Sequence, residues 1–244
     1  MSAVTSAVVL DIEGTVSPLA AVHDVLFPYA RDRIEAWIRQ GGEGTAEVAD
    51  GVAAILGGPV DQRLLVRTLL GWHDDNVKFT PLKTLHGLIW EQGFLSGELR
   101  GEFYPDVPVA LAEWHRREVP VWIYSSGSVL AQRLWFSRTN HGNLFGYVTG
   151  HFDTVSGGPK REPSSYRRIA DAIDIRPGEI VFLSDSAAEL DAARSAGWRT
   201  VGVRRPDCAQ DVGTHPVVGS FAELDTVGID VELAGMDVAA EVLR

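Results

Sequence analysis

Four short apolar runs punctuate the chain: Ala7–Leu10, Val121–Tyr124, 180–183 and 200–203. Each is continuous rather than alternating and rich in β-branched residues. That is the pattern of strands buried on both faces, hence of a parallel sheet. Helical spacing of apolar positions accompanies them over 107–117, 129–138, 165–173 and 187–196, and Gly197 is placed to end the last of these. The alternation predicts a doubly wound, Rossmann-like α/β core with a parallel sheet.

The stretch from about residue 18 to 101 follows another rule, with no buried-strand pattern. Ala30, Ile34, Trp37 and Ile38 share one face of a predicted helix over 29–40, which Gly41-Gly42 ends. A second helix is expected over 46–56 and is broken by Gly57-Gly58-Pro59. A third spans 60–72, and Pro81 opens a fourth with Leu82, Leu85, Leu88 and Ile89 at helical spacing. The expected organisation is an α/β core of residues 1–18 and 102–244 with an inserted helical domain, 19–101.

Charge narrows the function. The 244 residues carry 22 Lys+Arg against 33 Asp+Glu, a net charge of −11. Such an acidic chain is poorly suited to wrapping nucleic acid or an anionic membrane. If it handles an anion, it must gather cations in one site or borrow a metal. The longest stretch without Asp, Glu, Lys or Arg is 119–132, 14 residues, short of the roughly 20 that span a bilayer. The N-terminus lacks the basic region and long apolar run of an export signal. Cys208 is the single cysteine, so no internal disulfide is available. A reducing compartment, the cytoplasm, is expected.

The strongest local chemistry is Asp11-Ile12-Glu13-Gly14-Thr15, directly after the first strand. Ligands of open α/β sheets bind at the carboxyl ends of strands. Two carboxylates there can hold a hard cation, act as nucleophile, or move a proton; the alternative is a polar strand-end turn. Ser125-Ser126-Gly127-Ser128 follows the second strand and can bind phosphate oxygens or merely cap a helix. Ser184-Asp185-Ser186 offers a metal ligand or another cap. Lys160 lies in a loop before a helix, where a lone lysine is ordinarily just solvated.

The order Asp, Ser, Lys, Asp at these places resembles the haloacid dehalogenase-like phosphohydrolase superfamily. Within it, Asp11-Ile12-Glu13-Gly14-Thr15 with His23-Asp24-Val25-Leu26-Phe27-Pro28, Thr80-Pro81-Leu82-Lys83, Gly87-Leu88-Ile89-Trp90, Tyr104-Pro105-Asp106-Val107, Tyr124-Ser125-Ser126-Gly127-Ser128, Lys160-Arg161-Glu162 and Phe182-Leu183-Ser184-Asp185 is similar to the enolase-phosphatase (acireductone synthase) family. The likeness runs from residue 8 to about 206. The chain departs from the family at Val16-Ser17, in a loop over 155–159 about one residue longer, at His86 where the family has Gln, and at Pro206-Asp207-Cys208.

The resemblance implies a Mg²⁺-dependent enzyme of methionine salvage, with one metal per subunit. Its substrate would be 2,3-diketo-5-methylthiopentyl-1-phosphate, enolised and then dephosphorylated. Asp11 would be the nucleophile and Glu13 the general acid–base. Ser125, Ser126 and Lys160 would bind the phosphate, with Lys160 also serving catalysis. Asp11, Asp185 and Glu13, the last through its backbone carbonyl, would hold the metal. The helical block would be a cap that excludes water. Tyr29, Lys83, His86 and Trp90 are candidates for reading the methylthio group; against this, Trp90 also fits a core position and His86 a surface one. A small phosphate ester is the expected partner, and the expected state is a monomer. Another phosphomonoesterase of the same superfamily is the competing reading.

Overall fold

The computed structural model describes residues 5–208 and 210–229; the last stretch of the expected core, 230–244, lies outside the described residues. Among the described residues six strands form one parallel sheet: β1 (Ala7–Leu10), β2 (Val121–Tyr124), β3 (Gly150–Phe152), β4 (Ile180–Ser184), β5 (Arg199–Val203) and β6 (Val217–Val218). Their order is β3-β2-β1-β4-β5-β6. The four residues of β1 are fully buried because both faces are covered. Val8 and Leu10 pack with Val121, Ile123, Val181 and Leu183 on one side. Val9 packs with Tyr124, Ile180 and Phe182 on the other. The alternation of side chains along a strand thus survives, but each face meets apolar cover, so the sequence reads as an unbroken run.

Between β1 and β2 lies an all-helical layer. A π-helical turn, Ala21–Leu26, leads into α1 (Phe27–Arg39), α2 (Thr45–Leu56), α3 (Gln62–Asp74) and α4 (Thr80–Ser96). Gly57, at φ +75°, ends α2 in a conformation that favours glycine. Asp61 caps α3, its carboxylate accepting from Leu64 N at 2.7 Å. The layer has its own core, in which Ile34, Ile38, Val52, Leu69, Leu85 and Ile89 meet one another and no residue of the sheet. Each such buried side chain contributes about 1.5–3 kcal/mol. Phe94 and Leu99, at the end of the layer, join the sheet's core instead and tie the two together.

The remaining helices are α5 (Asp106–Arg116), α6 (Val129–Ser137), α7 (Pro163–Ile173) and α8 (Ala187–Ser195). Every helix expected from spacing is present, with ends displaced by a few residues at most. The short edge strands β3 and β6 carry no long apolar run and were not legible as strands. No helix among the described residues is long and apolar enough to cross a membrane.

Candidate active site

The chain leaves β1 toward β2 on one side and later returns to β4 on the other, so the order of the sheet reverses between β1 and β4. That reversal opens a crevice at the carboxyl ends of those strands, the ordinary ligand site of such a sheet. Asp11 follows β1 and Asp185 follows β4, and each is only 5% exposed. The turn between them is tight: Ile12 O accepts from the backbone N–H groups of Thr15, Val16 and Ser17. Gly14 sits at φ +70°, and a Cβ there would collide with Asp185 Oδ2. Thr15 Oγ1 accepts from Asp185 N at 3.0 Å, so the two strand ends are locked together.

Lys160 reaches in from the loop before α7. Its ammonium donates to Asp11 Oδ1 at 2.5 Å and lies 2.6 Å from Glu189 Oε2. Tyr166 OH donates to Lys160 O at 2.7 Å and fixes the loop from below. Burial pulls the Lys160 ammonium down, but Asp11 and Glu189 outweigh it and hold it charged. Asp11 Oδ1 also accepts from Ile12 N at 2.8 Å, and its Oδ2 accepts from Ser184 Oγ at 3.3 Å.

Ser125 opens the turn after β2, and its Oγ accepts from Gly127 N at 3.3 Å. Ser128 caps α6, its Oγ accepting from Ala131 N at 3.3 Å. Gln132 clamps this turn, its amide donating to Gly127 O at 2.8 Å and Phe152 O at 2.9 Å. Asp153 accepts from Val129 N at 3.3 Å and from Val155 and Ser156 in the next loop. The serine-rich turn is therefore held from both sides, which presets its donors.

A cavity of about 640 Å³ lies between the helical layer and these strand ends. The core supplies Glu13, Ser125, Ser126, Lys160 and Glu189 to its wall. The helical layer supplies Phe27, His73, Lys78, Lys83, His86 and Trp90. Asp11 meets the cavity through Lys160. Of the residues singled out from sequence as catalytic, phosphate-binding or metal-binding, Glu13, Ser125, Ser126 and Lys160 line this cavity, while Asp11 and Asp185 lie beneath it at the strand ends.

Glu189 was not singled out, although its place in the first turn of α8, directly after the Asp185 turn, was a usable signal. Burial and the nearby Asp11 push its carboxyl up. The same two causes push Asp185 up to about 6 and raise Glu13. Cys208, which donates to Asp185 Oδ2 at 3.3 Å, could not be placed from sequence. Burial pushes its thiol up to about 11, so it is unreactive.

Two expectations for the helical layer are corrected. His86 is no surface residue: it is 5% exposed, its Nε2 is 3.1 Å from His73 Nδ1, and its ring lies against Trp90 and Phe27. Tyr29 does not line the cavity; Arg33 lies over its ring and its hydroxyl donates to Glu98 at 3.2 Å. Trp90 does both things considered for it, lining the cavity while its Nε1 donates to Leu26 O at 2.8 Å.

A haloacid dehalogenase-like hydrolase family model matches residues 5–197. The enolase-phosphatase E1 of Frankia alni is 49% identical over 221 residues, covering 88% of this chain and 93% of that protein. That of Streptomyces avermitilis is 51% identical, covering 88% and 92%. The chain belongs to the enolase-phosphatase E1 family of haloacid dehalogenase-like hydrolases. It is therefore an enzyme, a hydrolase acting on a phosphate ester. Among solved structures, the UTR4 protein of Saccharomyces cerevisiae superposes with a TM-score of 0.77 at 32% identity, covering 89% of this chain and 98% of its own. CbbY of Rhodobacter sphaeroides, at 0.60 and 19%, shares the fold.

The enzyme's site suits a hard divalent cation. Asp11 and Glu189 pair with the Lys160 ammonium, and burial with the Asp11 charge raises the carboxyls of Glu13, Asp185 and Glu189. All offer oxygen, the donor Mg²⁺ prefers. Among the described residues no three His, Cys, Asp or Glu side chains stand together as a ligand set. The missing Cβ of Gly14 leaves the backbone free to approach Asp185.

Proposed function

We propose that this enzyme converts 2,3-diketo-5-methylthiopentyl-1-phosphate to 1,2-dihydroxy-3-keto-5-methylthiopentene and phosphate in L-methionine salvage. The observation that carries the reading is Asp11, buried at the reversal of the sheet and paired with Lys160, which lines a helix-roofed cavity together with the serine-rich turn. Residues 19–101 act as the cap, and 1–18 with 102–244 as the catalytic core. A small phosphate ester is the partner, without nucleic acid or membrane, and the working form is a cytoplasmic monomer.

In the phosphatase half, an Asp11 carboxylate oxygen attacks phosphorus as the ester P–O bond breaks. The departing oxygen takes a proton from the Glu13 carboxyl. Water then attacks the aspartyl-phosphate, gives its proton to Glu13, and frees Asp11 and phosphate. Ser125 and Ser126 donate to the transferring oxygens, where charge develops. Lys160 offsets a repulsion that, for two unit charges about 4 Å apart at an effective dielectric near 20, is about 4 kcal/mol. Asp11, Asp185 and the Glu13 carbonyl would hold Mg²⁺, which when bound neutralises phosphate charge. In the enolase half, a proton leaves the phosphorylated carbon beside the carbonyl, its electron pair closes a C=C bond, and the carbonyl becomes an enolate oxygen that then takes a proton from water to give the enol. Glu13, whose side chain lines the cavity, accepts the proton from carbon.

The test is anaerobic turnover of the diketone phosphate, with and without Mg²⁺, against p-nitrophenyl phosphate. Enol absorbance and free phosphate that both need the metal support the reading. A diketone left untouched while p-nitrophenyl phosphate is cleaved would assign the site to another ester.

A further inference from the structure

The chain carries 22 Lys and Arg residues, yet only three are lysine: Lys78, Lys83 and Lys160. All three line the same cavity. Arg161 is the only arginine beside them there, and everywhere else in the chain the cation is arginine. Lys160 is committed to Asp11 and Glu189. Lys78 and Lys83 come from the helical layer, Lys83 in the first turn of α4 and Lys78 just before it. Neither makes an ion pair among the described residues. Lys78 is close enough for its charge to act on the Glu13 carboxylate.

The two cations differ in what they recognise. Arginine presents a flat fork that matches both oxygens of a carboxylate or phosphate. An ammonium is a compact charge on a flexible stem and suits single oxygens, including ones that move as a reaction proceeds. The phosphate already has Lys160, Ser125 and Ser126. Two further ammonium groups on the opposite wall imply that the rest of the substrate also carries oxygen that becomes anionic. A plain alkyl phosphate has none.

We propose that Lys78 and Lys83 bind the C2 and C3 carbonyl oxygens of the substrate, beside its phosphorylated carbon, and stabilise the enolate formed when the C1 proton leaves. This rests on the function proposed above and assigns its enolisation step to the helical layer. The C–H proton leaves to Glu13, the electron pair moves through the new C=C bond to oxygen, and the ammonium groups meet the resulting charge without giving up a proton.

The test compares wild type with Lys78→Gln, Lys83→Gln and Lys83→Arg, measuring kcat/KM for enol formation from the diketone phosphate and for hydrolysis of p-nitrophenyl phosphate. Each Gln variant should lose enol formation at least about tenfold more than it loses p-nitrophenyl phosphate hydrolysis, and Lys83→Arg should recover less than about a third of the loss. Equal losses on both substrates, full recovery by arginine, or no loss would overturn the proposal. A wild type that never enolises the diketone overturns the function itself, whatever the lysine variants do. Reductive ¹³C-methylation gives an independent readout, since three lysines give three side-chain signals. Adding the diketone phosphate to Asp11→Asn protein should shift all three, whereas inorganic phosphate should shift only that of Lys160. Signals of Lys78 and Lys83 that ignore the diketone would also overturn the assignment.

Discussion

Lys160 Nζ stands 2.5 Å from Asp11 Oδ1, and both side chains are nearly buried, at 9% and 7% exposed. The ion pair joins residues 149 positions apart and brings the loop before α7 onto the end of β1. Removing the ammonium would leave Asp11 and Glu189 facing each other unpaired. Breaking such a buried pair typically destabilises by about 3–5 kcal/mol. Lys160→Met should therefore lower both the thermal midpoint and phosphate release. An unchanged melting curve would show that the pair does not hold the loop.

Gly14 tests the metal side of the account. An added Cβ meets Asp185 Oδ2 and must adopt φ +70°. Gly14→Ala should weaken Mg²⁺ binding, read by calorimetry, at least about tenfold, as changes around metal ligands commonly do. Affinity equal to wild type would place the metal elsewhere.

Glu13 separates the two half-reactions. Its side chain is one methylene longer than that of aspartate, which extends its reach. Glu13→Asp should lose enol formation at least about tenfold more than p-nitrophenyl phosphate hydrolysis. Parallel losses would remove Glu13 from the enolisation.

His86 makes a prediction about stability. Burial, helped by His73, pushes its imidazole down to about 3. In the unfolded chain it takes up a proton near pH 6.5. Between these values the unfolded state binds more protons, so the fold loses stability as pH falls from about 6.5 toward 3. His86→Gln has no such proton and should lose less stability between pH 7 and 4, by about 1 kcal/mol or more, in urea titrations. Identical pH dependence would contradict the buried neutral pair.

The sequence revealed most where periodicity and chemistry coincide. The run Ala7–Leu10 followed by Asp11 and Glu13 declared a buried strand and its ligand end. The inserted helices were legible because their apolar faces recur at helical spacing and close on one another. Strand β3 was not, because Gly150, His151 and Phe152 lie half-buried at an edge without an apolar run. His86 was misread for a related reason. A polar residue on an apolar face looks like a surface position until its partner His73, on another helix, is seen. Glu189 and Cys208 depend likewise on contacts made only after folding.

The most direct test of the central claim follows enol absorbance and free phosphate together in Asp11→Asn and wild type, anaerobically and with Mg²⁺. Wild type should give both signals, and the variant should release phosphate at least about 1,000-fold more slowly, as loss of a covalent nucleophile demands. Phosphate release by the variant within about tenfold of wild type would contradict Asp11 as the nucleophile and the mechanism built on it.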